Sequence, residues 1–157
     1  MHKHELAERG DLPVGDPVDE WFRASALVAT VDSGLGKWLT LHHGIGLTEY
    51  HALRQLAAAP DKEIRVSELA GRIGLNQSSV TRLLGRLEGR GFTRRDLCSE
   101  DGRGVYAVIT PAGEVLVREA REPFRLQLER LLADAAELSP IVDALVARRS
   151  ETDHLNS

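Results

Sequence analysis

The sequence predicts a mainly α chain of the α+β class, with a small central domain flanked by helices drawn from both ends. Three observations carry this. Apolar residues recur at helical spacing over residues 21–38 and again over 115–132. Between them, residues 66–91 read as two short helices joined at Gly74. Residues 92–109 then read as a β-hairpin around the turn-rich Ser99-Glu100-Asp101-Gly102-Arg103-Gly104.

Residues 1–17 mix charge with Gly10, Pro13, Gly15 and Pro17 and are expected to be a flexible arm. Trp21, Ala24, Val28, Val31, Leu35 and Trp38 follow at steps of three and four, one apolar stripe of about five turns. Gly34 and Gly36 weaken its last part, and Gly44-Ile45-Gly46 ends it. Thr48 is expected to N-cap a short second helix carrying Leu53 and Leu56, closed by Pro60-Asp61. After the hairpin, Thr110-Pro111 launches a long helix with Val115, Leu116, Phe124, Leu128, Leu131 and Leu132. Pro123 inside it is expected to kink or break it near Glu119–Glu122. Ser139-Pro140 starts a last helix with Ile141 and Leu145 facing inward. The outer helices carry apolar stripes that a core this small cannot cover, so they are expected to pair two copies of the chain. The expected division is an arm at 1–17, a helical dimerisation region at 18–47 and 111–150, a central domain at 48–110 and a tail at 151–157.

The 157 residues, 42% apolar and 28% charged, are enough for a real core. No run approaches the roughly 18 apolar residues of a membrane span, and Met1-His2-Lys3-His4-Glu5-Leu6 does not read as a secretion signal. One cysteine, Cys98, cannot make an internal disulfide, which fits a cytoplasmic location. The net charge is −4, yet residues 65–95 hold seven arginines against two glutamates, a net of +5 against −9 for the rest. A basic segment in an acidic chain is the footprint of one face meeting phosphate.

The central helices satisfy the steric demands of a helix-turn-helix. Leu69 is apolar, Ala70 is small where the second helix approaches, and Ile73 fills the core. Gly74 supplies the positive φ of the turn, and Leu75, Val80 and Leu83 complete the set. With the hairpin this makes a winged helix-turn-helix. The second helix starts after Asn76, an N-cap, with Gln77, Ser78 and Ser79 in its first turn. Val80, Leu83, Leu84 and Leu87 fall on one side, and Ser78, Arg82, Gly85 and Gly89 on the other, flanked by Thr81 and Arg86. Two glycines on the outward face cost roughly 1 kcal/mol each, which suits close approach by something large. A major groove fits, with Gln77, Ser78 and Thr81 reaching base edges or phosphates, Arg82 reading guanine, and Asn76, Ser79 and Arg86 as further candidate DNA contacts. Arg94 and Arg95 of the hairpin extend the basic surface.

The runs Val66-Ser67-Glu68-Leu69-Ala70, Asn76 to Leu84 and Leu87-Glu88-Gly89-Arg90-Gly91-Phe92 resemble regulators of the MarR family. So do Asp101-Gly102-Arg103 in the wing and Ile109-Thr110-Pro111-Ala112-Gly113 after it. The resemblance spans about residues 45–135. It implies a homodimeric repressor of transcription that binds a pseudo-palindrome of double-stranded DNA. It further implies that Arg103 enters the minor groove while Asp101 braces the wing. The wing departs from the family in having a single arginine between Gly102 and Gly104 after Glu100, so a weaker electrostatic contribution is expected.

The resemblance also implies release by a small effector, aromatic or phenolic, bound between the dimer helices and the winged helix. Trp38, His42, His43, Tyr50 and His51 flank that junction. Trp38 reads equally as core, and His42-His43 as a helix C-terminal cap. No Cys/His spacing matches a metal site and no cofactor is expected. Cys98 stands near Arg94 and Arg95, which would favour its thiolate, but it reads as an ordinary turn cysteine. No Walker loop, G-x-S-x-G, H-E-x-x-H or Rossmann glycine pattern appears, so an enzyme is not expected. The remaining alternative is a winged helix used as a protein-interaction or architectural DNA-binding module.

Overall fold

The computed structural model describes residues 15–97 and 104–136. The elements run α1 (Pro17–His43), α2 (Leu47–Ala58), β1 (Glu63–Arg65), α3 (Val66–Ile73), α4 (Gln77–Gly89), β2 (Thr93–Leu97), β3 (Val105–Ile109) and α5 (Pro111–Ala136). The expected wing tip with Cys98, Asp101 and Arg103, the arm up to residue 14 and the helix from Ser139 lie outside the described residues.

Asp16 caps α1 by accepting the Val18 N–H at 3.0 Å, ahead of Pro17, and Gly44 ends it in the left-handed conformation. The stripe expected on this helix is only half correct for one chain. Val31 and Leu35 are buried, joined by Leu39, but Trp21 is 69% and Val28 57% exposed. The N-terminal half of α1 extends past the core, and nothing among the described residues covers those side chains. Gly34 marks where α5 crosses α1: a Cβ there would lie 2.8 Å from a Leu131 methyl. Its smallness is a packing feature rather than a weakness in the helix.

Two expectations are corrected. The N-cap of α2 is Gly46, not Thr48, because Glu49 at the third helical position reaches back to accept the Gly46 N–H at 3.3 Å. Of the kink or break expected at Pro123, the break is absent, since α5 runs as helix from Pro111 to Ala136. The ring removes a donor to the preceding turn, but Pro123 is exposed while Ala120 and Phe124 are buried on either side. Burial on that face holds the helix through the missing bond.

The sheet has the order β1-β3-β2, all antiparallel. The edge strand β1 is absent from the sequence reading, since three residues carry no periodic signal. Its Ile64 is buried opposite Ala107. The inner sheet face, α3, α4 and α2 share one core built from Leu53, Leu56, Leu69, Val80, Leu83, Leu84, Leu87 and Ala107, each at most 1% exposed. The helix-turn-helix turn is as expected: Gly74 has φ 70°, and the Leu75 N–H donates to the Ala70 carbonyl at 3.0 Å.

The wing is locked to α5 at its base. The Thr110 N–H donates to the Phe92 carbonyl, and Thr110 Oγ1 donates to the Gly91 carbonyl at 2.6 Å. The same Oγ1 accepts the Gly113 N–H at 3.2 Å, capping α5. Gly113 sits so close to this corner that a Cβ would fall 2.4 Å from the Phe92 carbonyl oxygen.

Candidate nucleic-acid interface

The recognition candidate α4 stands on Asn76, whose Oδ1 accepts the Ser79 N–H and the Ser78 hydroxyl, both at 2.8 Å. This cap fixes where the helix starts and uses the Asn76 side chain internally. Along the outward face Gln77, Ser78, Thr81, Arg82, Gly85, Arg86 and Gly89 are all exposed. Thr81 bonds back to the Gln77 carbonyl at 2.9 Å. Arg82 has no carboxylate partner among the described residues, reaching only Ser79 Oγ at 3.5 Å. A Cβ on Gly89 would meet nothing within 4 Å, and one on Gly85 only Arg95 at 3.7 Å. The face is low, polar and cationic at its centre.

The other arginines of the basic segment do more internal work than the sequence suggests. Arg86 pairs with Glu49 of α2 at 2.9 Å, so it fastens α4 while 59% of its side chain remains exposed. Arg95 donates to the Thr81 carbonyl at 3.2 Å and pairs with Glu88 at 3.2 Å, binding β2 to α4. Arg94 pairs with Asp96 at 3.4 Å and stays exposed. Arg90 lies over the Phe92 ring and donates to the Gly44 carbonyl. Arg72 pairs with Glu68 one turn before it on α3. The net positive charge therefore reaches solvent mainly along α4 and the root of the wing.

Comparison with known proteins bears on the fold that carries this face. Residues 45–105 match the model of the MarR family. Over those residues the chain is similar to the MarR family. The transcriptional repressor MprA of Escherichia coli is 31% identical over 80 residues, 51% of this chain and 46% of its own length. The chain spans less than half the length of the curated relatives it matches. Sco3205, a MarR-family regulator of Streptomyces coelicolor solved in complex with DNA, superposes with a TM-score of 0.72. It is 23% identical, over 92% of this chain and 91% of that one. The MarR-family protein Rv2887 of Mycobacterium tuberculosis, solved with salicylic acid, gives 0.59 at 23% identity over 91% and 97%. At these identities the two crystal structures establish likeness of fold.

Of the expected effector residues, Trp38, His42, His43 and Tyr50 gather around one aromatic cluster and His51 does not. Trp38 stacks on His42 with ring centroids 4.8 Å apart and touches His43 at 5.4 Å. His42 Nδ1 donates to the Trp38 carbonyl at 2.9 Å, the C-terminal capping role its position allowed. Tyr50 is buried and meets the cluster through Phe124, which lies 4.7 Å from Tyr50 and 6.3 Å from Trp38. Burial pushes the Tyr50 phenol above its ordinary pKa, against the opposing pull of Arg54 and Arg121. His51 stays apart, exposed on α2 and accepting from Gln55. The residue missed by sequence reasoning is Phe124, which reads as one more apolar position of α5 until the fold brings it between Trp38 and Tyr50. An open cleft of about 410 Å³ beside it is lined by Phe124, Leu128, Arg54 and Arg121. Among the described residues no group of three or more His, Cys, Asp or Glu is placed to hold a metal, and no helix is long and apolar enough to cross a membrane.

Proposed function

We propose that this chain is a sequence-specific regulator of transcription that binds double-stranded DNA through α4 and the wing. The observation that carries the reading is the outward face of α4, where Arg82 stands without a carboxylate partner among the described residues, between small neighbours that leave room for a groove. Gln77, Ser78, Thr81 and Arg82 make the base-reading set, Arg86, Arg94 and Arg95 the flanking charge, and Arg103 with Asp101 the wing contact. The likeness to Sco3205, solved with DNA, supports the same use of the fold.

The working unit is a homodimer. Trp21, Phe22, Val28 and Leu126 are exposed on α1 and α5. Beside them runs an apolar groove of about 450 Å³ lined by Leu27, Val31, Leu131 and Ala135. Unpartnered aromatic and aliphatic surface of this kind is what a second copy would bury. Pairing through 18–47 and 111–150 would set two winged helices (48–110) on half-sites about 34–36 Å apart, hence a pseudo-palindromic operator. Repression follows from occupying that site, as the name of MprA suggests for its relative. Release falls to a small aromatic or phenolic effector at the Trp38, His42, His43, Tyr50 and His51 junction, a reading supported by the salicylic acid bound to Rv2887.

The test is binding of the purified protein to its own upstream intergenic DNA and to random duplex across a salt series. Wild type should prefer the upstream fragment, and Arg82→Ala should lose about 1–3 kcal/mol of that preference while keeping its salt slope. Equal binding to both duplexes would refute the specific-regulator reading.

A further inference from the structure

The corner between α1 and α2, Gly44-Ile45-Gly46, touches both the aromatic junction at the end of α1 and the helix α4. It is stiff. The Gly44 N–H donates to the Thr40 carbonyl at 3.1 Å, Thr40 Oγ1 donates to the Ile45 carbonyl at 3.4 Å, and Ile45 is buried. In the last turns of α1, Trp38 stacks on His42 and meets His43. A shift of that end of α1 therefore carries the corner with it.

Two arginines of α4, four residues apart, reach the same corner. Arg90, the C-cap of α4, donates to the Gly44 carbonyl. Gly44 has to be small there: its φ is 67°, and a Cβ would stand 3.0 Å from both terminal nitrogens of Arg90. Arg86 Nε donates to Glu49 Oε1 at 2.9 Å, and Oε2 of the same carboxylate accepts the Gly46 N–H at 3.3 Å. Glu49 is thus shared between the start of α2 and the outward face of α4, with its side chain 14% exposed. Residues four apart lie on one face of a helix, so the two links hold α4 as a single clasp. Charge-assisted bonds between packed helices are a physical route by which two sites bias each other.

We propose that Glu49 and Arg90 are positioning residues that couple the α1–α2 corner to α4, so that the Trp38 junction and the DNA-facing helix sense each other's state. The proposal rests on the DNA-binding reading above. It adds the place where the coupling passes, through two side chains assigned neither to DNA nor to the effector. Coupling of this kind is reciprocal, so DNA alone must be felt at the corner and no effector is needed to see it.

The test is amide hydrogen exchange of the full chain, free and with saturating upstream duplex. Wild type is compared with Glu49→Gln and with Glu49→Gln/Arg90→Gln, because glutamine keeps an acceptor for the Gly46 N–H while the charge that holds Arg86 is lost. In wild type, DNA should slow exchange at residues 44–49 by about fivefold or more beyond its effect on β3. The extra slowing should shrink in Glu49→Gln and vanish in the double variant, while α4 remains protected by DNA in both. No extra slowing at the wild-type corner, with α4 protected, overturns the proposal and leaves DNA binding standing. Extra slowing that survives in the double variant overturns it as well. A duplex that protects no amide of α4 sinks the DNA-binding reading and the proposal together. Should the double variant lose its helical circular dichroism, Glu49→Gln decides alone, and a corner response equal to wild type refutes the clasp.

Discussion

Replacing Gly113 with alanine would place a methyl group 2.4 Å from the Phe92 carbonyl oxygen and 2.7 Å from Ile109 Cγ1. To bring the first of these to 3.0 Å the start of α5 must move by 0.6 Å (3.0 − 2.4) against a backbone atom that cannot rotate away. The movement is resisted by Thr110, which holds Gly91, Phe92 and Gly113 together. Overpacking of this kind costs about 1–3 kcal/mol and a strained cap about 1 more, while alanine returns up to about 1 through helix propensity. The net expectation is a loss of about 2 kcal/mol, or roughly 4–8 °C in melting temperature for a chain of this size. Two companion substitutions calibrate the reasoning. Gly71→Ala meets nothing within 4 Å and should gain the full propensity term, about 0.8–1 kcal/mol. Gly34→Ala strikes only the mobile end of Leu131, so its gain and its clash should cancel to within about 0.5 kcal/mol. Thermal and urea denaturation of the three variants should rank them 71, 34, 113 in falling stability. If Gly113→Ala melts at or above wild type, or Gly34→Ala falls as far as Gly113→Ala, contact distance is the wrong guide to these sites.

Gly85→Ala should separate stability from binding: helix propensity raises stability by about 0.8–1 kcal/mol, while the added methyl on the proposed groove-facing surface weakens DNA binding by roughly tenfold. Paired melts and anisotropy titrations check both halves. Tyr50→Phe should stabilise the chain by about 1 kcal/mol, since the buried hydroxyl has no hydrogen-bond partner among the described residues. Because burial raises the Tyr50 pKa in the folded state, the unfolded chain ionises first. Wild-type stability should therefore hold below about pH 10 and decline above it, with a smaller decline in Tyr50→Phe, read by urea unfolding across pH 9–11. Trp21→Glu should convert the proposed dimer to monomer in sedimentation velocity with helicity retained, because Trp21 is exposed in the single chain.

The central domain was legible because its demands are local and steric. Ala70, Gly74 and the run from Val80 to Leu87 each meet a condition that a neighbouring residue imposes, and Asn76 and Thr110 carry capping chemistry within three residues of their targets. What escaped depends on distant partners. β1 exists because Ile64 fills a place opposite Ala107, more than forty residues away. Gly34 makes sense only once Leu131 crosses it, and Phe124 only between two rings from other helices. Thr48 lost its role to Glu49 because a carboxylate reaching back can cap a helix that begins on a glycine. The candidate site divides in the same way. The outward face of α4 follows from helical periodicity, whereas the internal commitments of Arg86 and Arg95 require knowing where Glu49 and Glu88 stand.

The knot at Thr110 also bears on modularity. The stretch matched by the family ends at residue 105, the first residue of β3. A fragment cut there would keep both helices of the helix-turn-helix but lose Ala107 and Ile109 from beneath them, and with them the strand that β1 and β2 both pair with. Two carbonyls at Gly91 and Phe92 would lose their donors, and Tyr50 its aromatic neighbour Phe124. The segment recognisable by homology is thus shorter than the segment able to fold. The smallest unit that keeps these contacts runs through the first turns of α5, so the central domain is built as a branch of the long helix.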